Sequence, residues 1–236
     1  MEIWNDINSS FRKGSVITRL IYLNLAVFLL FRIIEVLFFL SGNPTDLLQW
    51  FELPASPATW IRRPWSILTY MFLHHGFLHI LFNLLTLYWF GRIFMDYYSG
   101  SQLVGLYLLG GLAGGLAYMA AYNLFPVFEP VVSISYLLGA SASIVAILVA
   151  SAFRDPLREI RLFLIGLVQL RYLALFMIIL YIIAISVSNA GGNLAHLGGA
   201  VAGWFFVKLE AKGRDVTVPF SAAVSRIAQL FKSRSR

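Results

Sequence analysis

His74-His75-Gly76-Phe77-Leu78-His79-Ile80-Leu81-Phe82-Asn83 carries three of the chain's four histidines and heads an apolar run that continues to Phe94. Polar side chains in an apolar run are costly unless they are paired or used. His75 and His79 are four residues apart, and so are His79 and Asn83. On one helix such residues share a face. The spacing therefore predicts imidazole and amide groups along one face of a buried helix, and raises the question of what that face serves.

Composition sets the solvent for that helix. The chain has 236 residues, of which 59% are hydrophobic and 12% charged, against about 45–50% and 25% in soluble chains. Mean hydropathy is +0.78. This is the composition of an integral membrane protein. The apolar runs are continuous, whereas a barrel would need alternating segments of about 10 residues. The expected class is therefore all-α and polytopic, with about six spans at roughly 20 residues each. There is no cysteine, which excludes disulfides, thiol catalysis and Cys metal sites. The net charge of +7 does not indicate nucleic acid, because the basic residues lie in short loops and the C-terminal tail, as membrane topology requires.

The expected spans are about Ile17–Leu40, Tyr70–Phe94, Ser101–Phe125, Val131–Ala152, Tyr172–Ser188 and Leu194–Leu209. Arg32 and Glu35 in the first span read as a structural pair three residues apart. Ser41-Gly42-Asn43-Pro44 ends that span. The connection 41–70, rich in Trp and Pro, is expected to lie at the membrane interface. Residues 160–171 read as a short hairpin around Gly166 or as the start of a helix. Ala222–Phe231 reads as a short amphipathic surface helix. No small-residue cleavage site follows residues 1–19, so a cleavable signal is not expected. With both termini in the cytoplasm, 15 of the 18 basic residues fall inside, so the positive-inside rule selects that orientation.

In this orientation spans two, four and six all run inward. Their polar groups come near their beginnings: His74–Asn83, Gly139–Ser143 and Asn193–His196. Gly199-x-x-x-Gly203 on span six and small residues on span four (Gly139, Ser143, Ala142, Ala146, Ala150) favour close helix approach. That approach would bring Ser141 and His196 within reach. A serine beside an imidazole base is an arrangement for nucleophilic acyl transfer. Free N–H groups at a helix start near Ser141 would stabilise an oxyanion.

Together, His74-x-x-x-x-His79-x-x-x-Asn83, Gly139-Ala140-Ser141, and Ala195-His196-Leu197-Gly198-Gly199 with Gly203 resemble the rhomboid family of intramembrane serine proteases. The resemblance runs from span one to span six. It implies Ser141 as nucleophile and His196 as general base. It implies an oxyanion site of His79, Asn83 and the Ser141 backbone N–H, with His74 as structural support and span five as the gate beside which a substrate helix enters. Ala142 stands where the family usually has Gly. Val145 stands where many members carry an aromatic stacked on the histidine, and Trp65-Ser66 where some have Trp-Arg.

No cofactor and no metal is expected. A Zn²⁺ site on His75 and His79 would leave the absence of Cys and of a His-Glu-x-x-His glutamate unexplained. A transporter would show an internal repeat or paired acidic groups, and neither is visible. A catalytically inactive rhomboid-like protein that binds membrane helices would lack Ser or His. The expected partners are single-span transmembrane substrates and the lipid bilayer. The expected organisation is a cytoplasmic segment 1–16, a six-helix protease domain 17–209 and a basic tail 210–236. The expected location is the bacterial cytoplasmic membrane.

Overall fold

The computed structural model describes residues 10–11, 13–42, 46–162 and 165–233. Asn43 and Pro44, residues 1–9 and the last three basic-tail residues lie outside that description. Apolar helices carry the runs seen in the sequence: α1 (Val16–Leu40), α4 (Phe77–Met95), α5 (Gly100–Leu124), α6 (Ser141–Arg154), α7 (Leu170–Ala184) and α8 (Ala190–Glu210). Two short helices, α2 (Pro57–Arg62) and α3 (Ser66–Thr69), lie in the long connection, and α9 (Val218–Ser233) forms the tail. α1, α4 and α5 are each long and apolar enough to cross a membrane.

Capping chemistry sets several helix starts. Ser15 accepts the Thr18 N–H at α1, and Ser99 and Gln102 form a capping box at α5. Asn189, at φ 47, accepts the Gly192 N–H at α8. This left-handed cap moves the start of the sixth apolar helix to Ala190, earlier than Leu194. α7 runs over Leu170–Ala184 rather than Tyr172–Ser188.

Two expected spans are shorter than their apolar runs. Tyr70–Phe72 is a 3-10 turn, and Gly76 is extended at the N-cap of α4, φ −151 and ψ 165. His74 and His75 thus precede the helix, so the shared face of His75 and His79 does not exist, whereas that of His79 and Asn83 does. The carbonyls of His74 and His75 accept hydrogen bonds from the Arg32 guanidinium instead of helical N–H groups. Likewise, α6 begins at Ser141 and not at Val131. Residues Pro126–Val131 form a 3-10 turn, Tyr136–Leu137 form a strand, and Gly139 sits at φ 128.

The chain is mostly helical, but the all-α expectation misses two short antiparallel pairs. β1 (Leu53–Pro54) pairs with β2 (Tyr136–Leu137), Leu53 opposite Leu137. β3 (Glu159–Leu162) pairs with β4 (Gly166–Gln169) as a hairpin, which decides the ambiguous 160–171 segment. Gly166, at φ 95, supplies its turn conformation.

The core is organised around α6. Every residue from Ala142 to Ala152 is buried. At 14 residues and about 21 Å, α6 is shorter than a hydrocarbon core of about 30 Å. Such a short helix, with irregular backbone ahead of it, is tolerated only inside protein. α5 and α8 enclose it through glycines. A Cβ on Gly110 would lie 2.5 Å from the Ala146 Cβ, and one on Gly114 2.6 Å from the Ala142 Cβ. A Cβ on Gly199 or Gly203 would run into the Ala142 or Ala146 carbonyl. The expected close approach of the fourth and sixth apolar helices is therefore present, and it is backbone against backbone.

Candidate active site

The site grows from the segment between β2 and α6. Gly139 donates its N–H to the Tyr70 carbonyl at 2.9 Å, tying this segment to the strap that leads into α4. The strap is held at several points. The Tyr70 hydroxyl donates to Gly111 O at 2.5 Å, and the Tyr107 hydroxyl to Met71 O at 2.8 Å. Arg32, itself paired with Glu35 at 2.6 Å, binds the carbonyls of His74 and His75. The Arg32–Glu35 pair is thus structural, as read from the sequence, but it also fixes the entrance to α4. Only the tertiary contact shows this, since 42 residues separate Arg32 from His74.

Ser141 is the first residue of α6, after Ala140 as N-cap. The first intrahelical bond there is Ile144 N–H to Ala140 O. The N–H groups of Ser141, Ala142 and Ser143 therefore have no acceptor within the helix. They carry the positive end of its dipole.

His196 lies in the second turn of α8. Its Nε2 is 2.6 Å from Ser141 Oγ, across 55 residues of sequence. Ser O–H donates to an unprotonated Nε2, which leaves the proton of the neutral ring on Nδ1. Nδ1 is buried and, among the described residues, has no hydrogen-bond partner, so no carboxylate among them completes a triad. The imidazole packs instead on the Tyr181 ring of α7, centroids 4.4 Å apart and planes at 51°. Val145, one turn along α6, is buried and aliphatic. The sequence shows an aliphatic residue at position 145 but gives no sign of Tyr181, because an apolar span does not mark which of its aromatics meets a given histidine.

His79 faces this pair from α4, and Asn83 lies one turn further along the same helix face. A Cβ built on Gly139 would lie 3.1 Å from His79 Nε2 and 3.6 Å from Ser141 Oγ. The glycine hydrogen thus borders a point flanked by both groups; glycine suits φ 128 there, and a Cβ would also crowd His79. Asn83 is 7% exposed, and its Nδ2 is buried without a hydrogen-bond partner. A buried donor of this kind is costly unless something accepts from it. His74 stacks edge-on against His79 at 5.0 Å between centroids, a supporting role. His75 points elsewhere, 3.7 Å from the Glu52 carboxylate. Glu52 is buried in the long connection. That burial, with Asp46 and Glu35 nearby, pushes its carboxyl up to about 7. Among the described residues no group of three or more His or acidic side chains is placed to hold a metal ion.

The arrangement has the parts needed for acyl transfer: a hydroxyl on a base, helix N–H groups beside it without an acceptor in the helix, and a buried amide one turn from His79. Comparison with known proteins places it in context. A family model described as the Rhomboid domain matches residues 62–212, which includes all four site residues. RHOMBOID-like protein 12, mitochondrial, of Arabidopsis thaliana is 26% identical over 206 residues. The match covers 84% of this chain and 59% of that protein, so the chain spans well under two thirds of that relative's length. The matched region contains the helices that hold Asn83, Ser141 and His196, and on that match the chain is a membrane protein that belongs to the rhomboid family.

Proposed function

We propose that this protein is an intramembrane serine endopeptidase working through a Ser141–His196 dyad. The observation that carries the reading is the 2.6 Å contact between Ser141 Oγ and His196 Nε2, made at the start of a buried helix whose first N–H groups are free. His196 takes the Ser141 proton as Oγ attacks the substrate carbonyl carbon, and later gives it to the leaving amine. The tetrahedral oxyanion accepts from the Ser141 N–H, His79 and Asn83. Water then cleaves the acyl-enzyme, with His196 again as base. Family membership supports this chemistry, and so does the unpaired Asn83 amide.

The six apolar helices are read as six spans with both termini cytoplasmic, on the distribution of Lys and Arg. That orientation puts the Ser141 end of α6 near the outer face. The substrate is a single-span membrane protein cut near the outer end of its helix. A helix buries its amides in its own hydrogen bonds, so clients with small or helix-breaking residues near the cut, which unwind most easily, are preferred. The test is cleavage of a tagged single-span substrate by purified protein, with fluorophosphonate labelling in parallel. Cleavage and labelling are expected in wild type and lost in Ser141→Ala and His196→Ala. Equal cleavage by wild type and Ser141→Ala would overturn the assignment, and so would a wild type that is neither labelled nor active.

A further inference from the structure

The His196 ring has to hold one orientation for Nε2 to face Ser141 Oγ. An acceptor on Nδ1 commonly does this, but here Nδ1 is buried and unpartnered. Packing must do it instead. From α6 the neighbouring position offers only aliphatic Val145. The ring that lies against the imidazole is Tyr181, at 4.4 Å, and Tyr181 belongs to neither helix of the dyad. The two ring planes are tilted at 51°, so the contact is one of packed rings.

α7 is a particular place from which to supply such a contact. It has 15 residues, and its two fully buried ones, Leu170 and Ala174, both lie at its N-terminal end. The C-terminal half meets the core only through partly buried side chains, among them Ile178 and Tyr181. Ile179, Leu180, Ile182 and Ile183 on the same half are exposed. The orientation of His196 therefore depends on where the least anchored half of this helix stands.

We propose that Tyr181 is the positioning residue of His196, acting through the packing of its ring from a helix separate from those that carry the dyad. The proposal rests on the protease reading given above for its kinetic consequence, though not for its structural one. An aromatic pair of this kind contributes enough to predict a roughly 2- to 10-fold effect on turnover.

The test uses the full chain in detergent, with Tyr181→Leu and Tyr181→Phe. Three measurements are made: kcat and KM on a tagged single-span substrate, the rate of fluorophosphonate labelling, and the histidine ring resonances. His196 is assigned by its loss in His196→Ala. The wild-type His196 resonance is expected to show a ring-current shift from Tyr181. Tyr181→Leu should abolish that shift, broaden or split the line, and lower kcat and labelling 2- to 10-fold with KM unchanged. Tyr181→Phe should keep all of these near wild type. A Tyr181→Leu protein with wild-type kcat and labelling would overturn the proposal, and so would a Tyr181→Phe protein as impaired as Tyr181→Leu. If wild type neither cleaves nor is labelled, the protease reading falls while the spectra still decide. A His196 line unmoved by Tyr181→Leu overturns the positioning role, and one that shifts and splits supports it.

Discussion

Replacing Asn83 by alanine sets catalysis against folding. Asn83 is 7% exposed, and its Nδ2 makes no hydrogen bond within the protein. An unsatisfied buried donor costs about 1–3 kcal/mol. Removing it relieves that penalty, while truncation to Cβ gives up packing of comparable size. The net change in fold stability is therefore expected to be within about 1 kcal/mol, a small effect for a buried polar residue. Turnover should respond differently. One oxyanion donor is worth about 10²–10³ in kcat, or roughly 2.7–4 kcal/mol. The assay pairs the initial rate of cleavage of a single-span substrate with thermal unfolding in the same detergent. The expected result is a loss of at least 100-fold in kcat (about 10²–10³) with an unchanged midpoint. A loss below about threefold, or destabilisation above about 3 kcal/mol, would show that the amide serves packing and would refute its assignment as a donor.

Gly139→Ala strains the backbone at φ 128 and places a methyl 3.1 Å from His79 Nε2. A backbone held in a sparsely populated region costs about 1–3 kcal/mol, so both the unfolding midpoint and the labelling rate of Ser141 should fall, as read by thermal denaturation and fluorophosphonate kinetics. Glu52 lies outside the spans, and its carboxyl is raised from its ordinary 4.5 to about 7. Between those values the folded protein binds more protons than the unfolded chain, so this group makes stability fall as pH rises. Glu52→Gln should remove that share of the slope, seen as a midpoint difference between variant and wild type that grows from pH 5 to pH 8. A difference constant with pH would show that Glu52 ionises normally.

The residues of the candidate site are legible in the sequence, because a membrane helix makes polar residues conspicuous. Ser141, His196, His79 and Asn83 each stand out in apolar surroundings, and glycines at four-residue spacing marked the faces that meet. What misled was the assumption that an apolar run is one helix. Residues 131–140 are apolar yet form a turn, a strand and a glycine bend. Residues 73–76 are not helical, and Arg32 takes the His74 and His75 carbonyls. In both places long-range partners satisfy the backbone, and the local pattern does not contain those partners.

By itself, the chain's composition determined a helical membrane protein. Its spaced glycines determined which helices approach, and its isolated polar residues determined the chemistry on offer. Those properties are local: they depend on what each residue is and on a period of 3.6. The tertiary structure alone decided that α6 begins at Ser141, which frees the N–H groups beside the hydroxyl. It also decided that Asn83 is buried and that the Tyr181 ring of α7 lies against His196. These depend on contacts between residues tens of positions apart, and on which rotamer each neighbour leaves room for. No short-range pattern encodes them.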